Sequence, residues 1–199
     1  EVQVLDVLPQ DEVIVRAPPA GASAALGGGL IGAVIDSKIG ETRQNELQAT
    51  LAPFYSSVDD FNFRALFNKS LSDTLAREKS VRFGQIQHAG QAILNTELQA
   101  RRKAMGDTRG LMLSATSYTF SPDFTRLSLT TRVELSQAGQ NQPVFLNAYS
   151  HQSAQVGTRG PASLRTWAEN NGERYRRAAQ EGIAQIMKMI IFFNDTAAT

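Results

Sequence analysis

The chain has 199 residues, 42% of them apolar, with 20 Lys and Arg against 19 Asp and Glu. That length suits one domain with a real core, and an apolar share this high with balanced charge excludes a disordered chain. A formal net charge of +1 removes the bulk electrostatic case for nucleic acid, so no such partner is expected. With no Cys, disulfides, thiolate chemistry, Cys-ligated zinc and iron–sulfur clusters are excluded, and two His cannot build a His-rich metal site. No cofactor is expected.

Residues 1–17 place the β-branched Val2, Val4, Val7, Val13 and Val15 around Pro9-Gln10-Asp11, which is turn chemistry. They read as strand, turn, strand, stopped by Pro18-Pro19. Residues 21–35, GASAALGGGLIGAVI, are small and uncharged. Ala24, Gly28 and Gly32 recur four apart, as do Ala25, Gly29 and Ala33. On a helix these form two stripes that let another backbone approach closely, the pattern used by membrane helix pairs. The run is too short and too weakly apolar to span a bilayer. Segment 21–40 is therefore expected to be close-packed, mobile or membrane-proximal. Polar helix formers continue over 36–55, with Pro53 limiting them. Asp59 and Asp60 offer N-caps to a helix over 60–78 with the stripe Phe63, Leu66, Phe67, Ser70, Leu71, Thr74 and Leu75.

Residues 81–86 read as a short strand, and 90–105 allow an amphipathic helix through Ile93, Leu94, Leu98 and Met105. Residues 110–120 are extended, and Ser121-Pro122-Asp123-Phe124 supplies a turn. In 124–137, Leu127, Leu129, Thr131, Val133 and Leu135 alternate with Arg126, Ser128, Thr130, Arg132 and Glu134, the period of a half-buried strand. A third strand follows over 143–152. Residues 162–190 form one long helix or a broken pair, with Gly172 and Gly182 as weak points. The fold class is α+β: an antiparallel sheet of about four to six strands including a 110–152 meander, with helices on one face and a long C-terminal helix. Residues 1–190 make one domain.

The candidate chemistry is sparse. Gly27-x-Gly29-x-x-Gly32 fits a dinucleotide fingerprint in form only, because no strand runs into it and Asp36 and Glu41 lie too close. His88 and His151 read as structural, and no G-x-S-x-G elbow is present. Asp11-Glu12 and Asp59-Asp60 could do acid–base work only if a cleft held them. Arg101-Arg102-Lys103 and the Arg174, Arg176, Arg177 group read as solvated helix faces diluted by nearby Glu. Trp167 reads as an anchor of the last helix, or as an interface residue if exposed.

The segments LGGGLIGAVIDSKI, LAPFYSSVDDFNFRALF and SYTFSPDFTRLSLTTRVEL, followed by a Trp-led helix, resemble a group of uncharacterised bacterial exported or envelope-associated proteins. The resemblance implies an envelope setting and no activity. The chain opens at Glu1 without a leader, as a mature chain freed of its signal peptide or a fragment does. Residues 192–199 resemble translated sequencing-adapter read-through, so 191–199 is expected to be a non-native tail.

Three functional readings fit these features. The leading one is a non-enzymatic periplasmic or envelope protein acting in protein–protein or membrane-proximal assembly, as a homo-oligomer or with a protein partner, through Ala24, Gly28, Gly32 and Trp167. The second is a small-ligand or lipid-binding module with a cavity among Phe61, Phe63, Phe67, Leu111 and Leu113. The third and weakest is a hydrolase with an acidic dyad.

Overall fold

A computed structural model describes residues 1–13, 49, 51–79, 81–104, 110–137, 140 and 142–197. The fold is α+β, a five-stranded sheet in the order β2-β1-β3-β4-β5 with helices against it. In chain order the elements are β1 (Val2–Val7), a helical segment over 51–57, α1 (Phe63–Arg77), β2 (Phe83–Ala89), α2 (Asn95–Ala104), β3 (Gly110–Phe120), β4 (Leu127–Ser136), β5 (Phe145–Gln152) and α3 (Pro161–Ala197).

The meander is antiparallel as its alternation predicts, β3 to β4 to β5 in unbroken register. The turn closes with Phe124 N–H donating to Ser121 O at 2.8 Å, Pro122 occupying the position its fixed φ suits. The first strand behaves differently. Instead of pairing with a second strand across Pro9, β1 runs parallel to β2 on one side and to β3 on the other. It ends at Val7, and beyond Pro9 the Gln10 side chain takes over the ladder. Its Nε2 donates to Tyr118 O at 2.9 Å, and Tyr118 N–H donates to its Oε1 at 3.0 Å. Of the expected second strand, Glu12 and Val13 are not extended into a ladder, and the rest lies outside the described residues.

The central position of β1 decides where the helices go. The β1-α1-β2 crossover moves one way along the sheet, and β2-α2-β3 moves back across β1. Right-handed crossovers in opposite directions put their helices on opposite faces. The packing agrees. Val4 and Leu8, Met112, Tyr118 and Phe120, and Leu127, Leu129 and Val133 join the main core with α1 and α3. Leu5, Val7 and Leu111 form a smaller cluster on the other face, beside Ile93 and Leu98 of the α2 region. One helix thus departs from the expected single-faced arrangement.

Helix α1 carries the predicted stripe. Phe63, Phe67, Leu71 and Leu75 are its buried residues, four apart on one face. Its N-cap is Asn62, not Asp59 or Asp60: Asn62 Oδ1 accepts from Ala65 N–H at 2.8 Å. Asp60 instead binds Arg176 of α3, with Arg176 Nη2 at 2.5 Å from its Oδ1.

Helix α3 breaks at one of its two predicted weak points. Glu169 is extended, and Asn170, Asn171 and Gly172 are left-handed. Two Asn and a Gly are the residues that tolerate that region. At Gly172 a Cβ would collide with Val58 Cγ1, so the break also needs a bare backbone against Ser57 and Val58. Gly182 stays helical, and its Cβ position is 3.1 Å from Leu129 Cδ2, which lets α3 lie close on β4.

Candidate functional site

An apolar hollow opens on the outer sheet face beneath α2. Val7, Leu113 and Ala115 form its floor, Ile93 and Leu98 one wall, and Ser117, Arg132 and Glu134 its polar end. Its volume is about 380 Å³, within the range of small-molecule sites.

The local sequence explains the gap. α2 reads NTELQARRKA, and of its described side chains none lies in a buried core. Leu98 is the one apolar residue it lays towards the small cluster. One turn on, Arg102 reaches the sheet and pairs with Glu134 of β4, their side chains 9% and 7% exposed. A long guanidinium arm on a buried carboxylate holds the helix off the sheet, where Leu or Ile would draw it down.

The groove lies beside the carboxyl end of β1, where Val7 stands opposite Ala115 in the middle of β3.

Strand register sets the groove's polar end. Leu113, Glu134 and Leu146 stand opposite one another across β3, β4 and β5. The next row on that face is Ala115, Arg132, Ala148, and the next Ser117, Thr130, Ser150. Arg132 therefore rises between two alanines. It is 57% exposed, and its Nη2 is 3.6 Å from Glu134 Oε2, too long for a hydrogen bond.

The core face holds a second polar row. His88, Asp6 and Ser114 are in register on β2, β1 and β3. His88 Nδ1 is 3.0 Å from Asp6 Oδ2. Asn68 of α1, in the amide orientation that satisfies both its ends, donates to Asp6 Oδ2 and Arg64 O at 3.2 Å. Burial raises the Asp6 carboxyl above its ordinary range, against the lowering effect of His88 and Ser114. A nucleophilic triad needs the imidazole between serine and carboxylate. Here the carboxylate is in the middle, so the row is structural.

Of the acidic pairs, Asp11, Glu12 and Asp59 meet at the rim of a second hollow of about 230 Å³ floored by Tyr118 and Tyr175. Asp11 is tied to Arg64 at 2.6 Å. Asp60 is held by Arg176, whose hydrogen bond lowers its carboxyl below the ordinary range. The phenols brace the chain: Tyr118 Oη donates to Asp11 O at 3.1 Å and Tyr55 Oη to Val13 O at 3.0 Å. Burial raises both phenols, so they remain neutral donors.

Of the residues predicted to serve assembly, Ala24, Gly28 and Gly32 lie outside the described residues. Trp167 is 0% exposed, with its Nε1 donating to Phe124 O at 2.7 Å. It offers no surface to a partner. The cavity residues predicted together are split by the sheet: Phe63 and Phe67 fill the main core, whereas Leu111 and Leu113 belong to the outer cluster. Sequence reasoning left Arg102 on a solvated face and Glu134 on a polar one. The run Leu111-Met112-Leu113 carried the missing signal, since consecutive apolar residues mark a strand covered on both faces. Among the described residues no group of three or more His, Asp and Glu could hold a metal ion. No described helix is long and apolar enough to cross a membrane.

No protein-family model matches the chain, and no curated protein matches it. Among solved structures, a hypothetical protein of Chlamydia trachomatis aligns at 12% identity and a TM-score of 0.38, over 94% of this chain and 96% of its own. A putative lipoprotein of Caulobacter crescentus aligns at 12% identity and a TM-score of 0.29, over 66% of this chain and 82% of its own. At such scores neither likeness bears on fold or function.

Proposed function

We propose that this protein is a non-catalytic binding module that takes the alkyl chain of a small amphiphile into the groove beneath α2. The observation that carries this reading is an apolar hollow of about 380 Å³ beside the carboxyl end of β1, with the buried Arg102–Glu134 pair standing between α2 and the sheet. Burying an alkyl chain there supplies contacts that Leu98, Leu113 and Ala115 do not find in one another. An amphiphile also suits the envelope setting implied by the sequence resemblance. Assembly through Ala24, Gly28 and Gly32 is a separate proposal that the groove neither needs nor opposes.

Titration calorimetry with decanol tests the reading. Ala115→Phe adds a ring to the groove floor without touching the main core. The intact protein should bind decanol, and the variant should bind it at least about ten-fold more weakly, a loss of about 1.4 kcal/mol. Equal binding by both would refute the groove as the site.

A further inference from the structure

Resting on the groove reading, we infer that the ligand is a single-chain carboxylate whose head is read by Arg132 together with the hydroxyl of Ser117. Three observations converge on this end of the groove. Its charges do not cancel: Glu134 is closely paired with Arg102, and both side chains are buried. Arg132 is then a second cation on the same carboxylate, 3.6 Å away and 57% exposed. The local sum is one positive charge in excess, and it resides on the guanidinium that faces solvent.

Arg132 also has room for a planar anion. Its neighbours across both ladders are Ala115 and Ala148. A guanidinium presents its N–H donors in a fork that matches the two oxygens of a carboxylate. Next to it, Ser117 and Thr130 stand opposite each other; Ser150 Oγ donates to Leu129 O at 3.3 Å, which leaves Thr130 Oγ1 as the donor to Ser150 Oγ at 3.1 Å. The Ser117 hydroxyl, which lines the groove, can donate to an oxygen that the fork does not take.

The polarity of the groove fixes the ligand's direction. Leu113 and Ala115 lie on the floor next to Ile93 and Leu98, so the chain runs beneath α2 and the head emerges at Ser117 and Arg132. Chain and head together define a free carboxylate amphiphile. A cationic head would meet Arg132, and a neutral one would leave its fork unused.

Binding of decanoate, decanol and decyltrimethylammonium to the full chain, measured by calorimetry alongside Arg132→Gln, tests the assignment. Decanoate should bind at least about ten-fold more tightly than decyltrimethylammonium, as a charge-assisted contact requires. Arg132→Gln should remove that preference and leave decanol binding unchanged. Equal binding of the three compounds, or a preference that survives Arg132→Gln, would overturn the head assignment while leaving the groove reading intact. Failure of all three to bind would overturn the groove reading and the head assignment with it. Binding to phosphatidylglycerol vesicles with no binding of free decanoate would also overturn it, since the anion recognised would then belong to a membrane surface.

Discussion

Arg102 of α2 and Glu134 of β4 form an ion pair buried on the outer face of the sheet, and this pair sets the spacing between helix and sheet. Removing one member strands the other's charge away from water, which costs about 3–5 kcal/mol. Glu134→Leu and Arg102→Met should each lower unfolding free energy by about that much, and the double variant by far less. The same double variant should let α2 settle on Leu113 and close the groove. Urea unfolding of the parent and the three variants measures the first effect and decanol titration the second. Equal stability of all four would mean that the pair is solvated.

Gly172 is held at φ +68°, with Val58 Cγ1 where a Cβ would stand. Gly172→Ala should destabilise the protein by more than the strain of the left-handed region alone, about 1–2 kcal/mol. The methyl must also displace the Val58 side chain. Asn171→Ala has only the conformational cost, so its loss should be smaller. Thermal unfolding followed by Trp167 fluorescence would rank the two, and the reverse order would contradict the packing at the break.

Asp6 makes stability depend on pH. Burial raises its carboxyl in the folded chain above the unfolded value of 3.8. The folded state therefore keeps that proton to higher pH than the unfolded chain does. The resulting stabilisation is fully present below the unfolded value and is lost as pH rises through the raised folded value. Asp6→Asn lacks this loss. Its unfolding free energy minus that of the parent should become more positive as pH rises from about 3 to about 7. Asp60, Asp73 and Asp123 are shifted down by Arg176, Lys69 and Ser121 and act with the opposite sign. They are common to both proteins and cancel in the difference. A flat difference would show that Asp6 is solvated.

Chain length should register in the groove. Each buried methylene contributes about 0.8 kcal/mol, or about four-fold in affinity. Hexanoate, octanoate and decanoate should bind in that increasing order until the hollow is full, after which the gain stops. Affinities independent of length would place the chain in solvent.

Sequence periodicity reported local structure well and spatial neighbours poorly. The stripe from Phe63 to Leu75 and the alternation from Leu127 to Leu135 are set by residues a few positions apart. Both appear as read, with Leu135 the least buried of its row. The N-cap moved from Asp60 to Asn62 because Asp60 is engaged by Arg176, 116 residues away. The parallel placement of β1 depends on β2 and β3, and no turn residue near Pro9 encodes it. The groove was hidden for the same reason. Glu134 reads as solvent-facing from its alternation, and only the reversal of the crossovers across β1 brings Arg102 over it. Leu111-Met112-Leu113 was the legible trace of that second layer.

The most direct test of the central claim is site mapping with a decanoate that carries a photoactivatable diazirine at its chain end. Cross-linking to the full chain, followed by peptide mass spectrometry, should label Ile93, Leu98 or Leu113, and unlabelled decanoate should suppress it. Labelling of the main-core side at Phe67 or Ile186, or labelling that decanoate does not suppress, would contradict binding beneath α2.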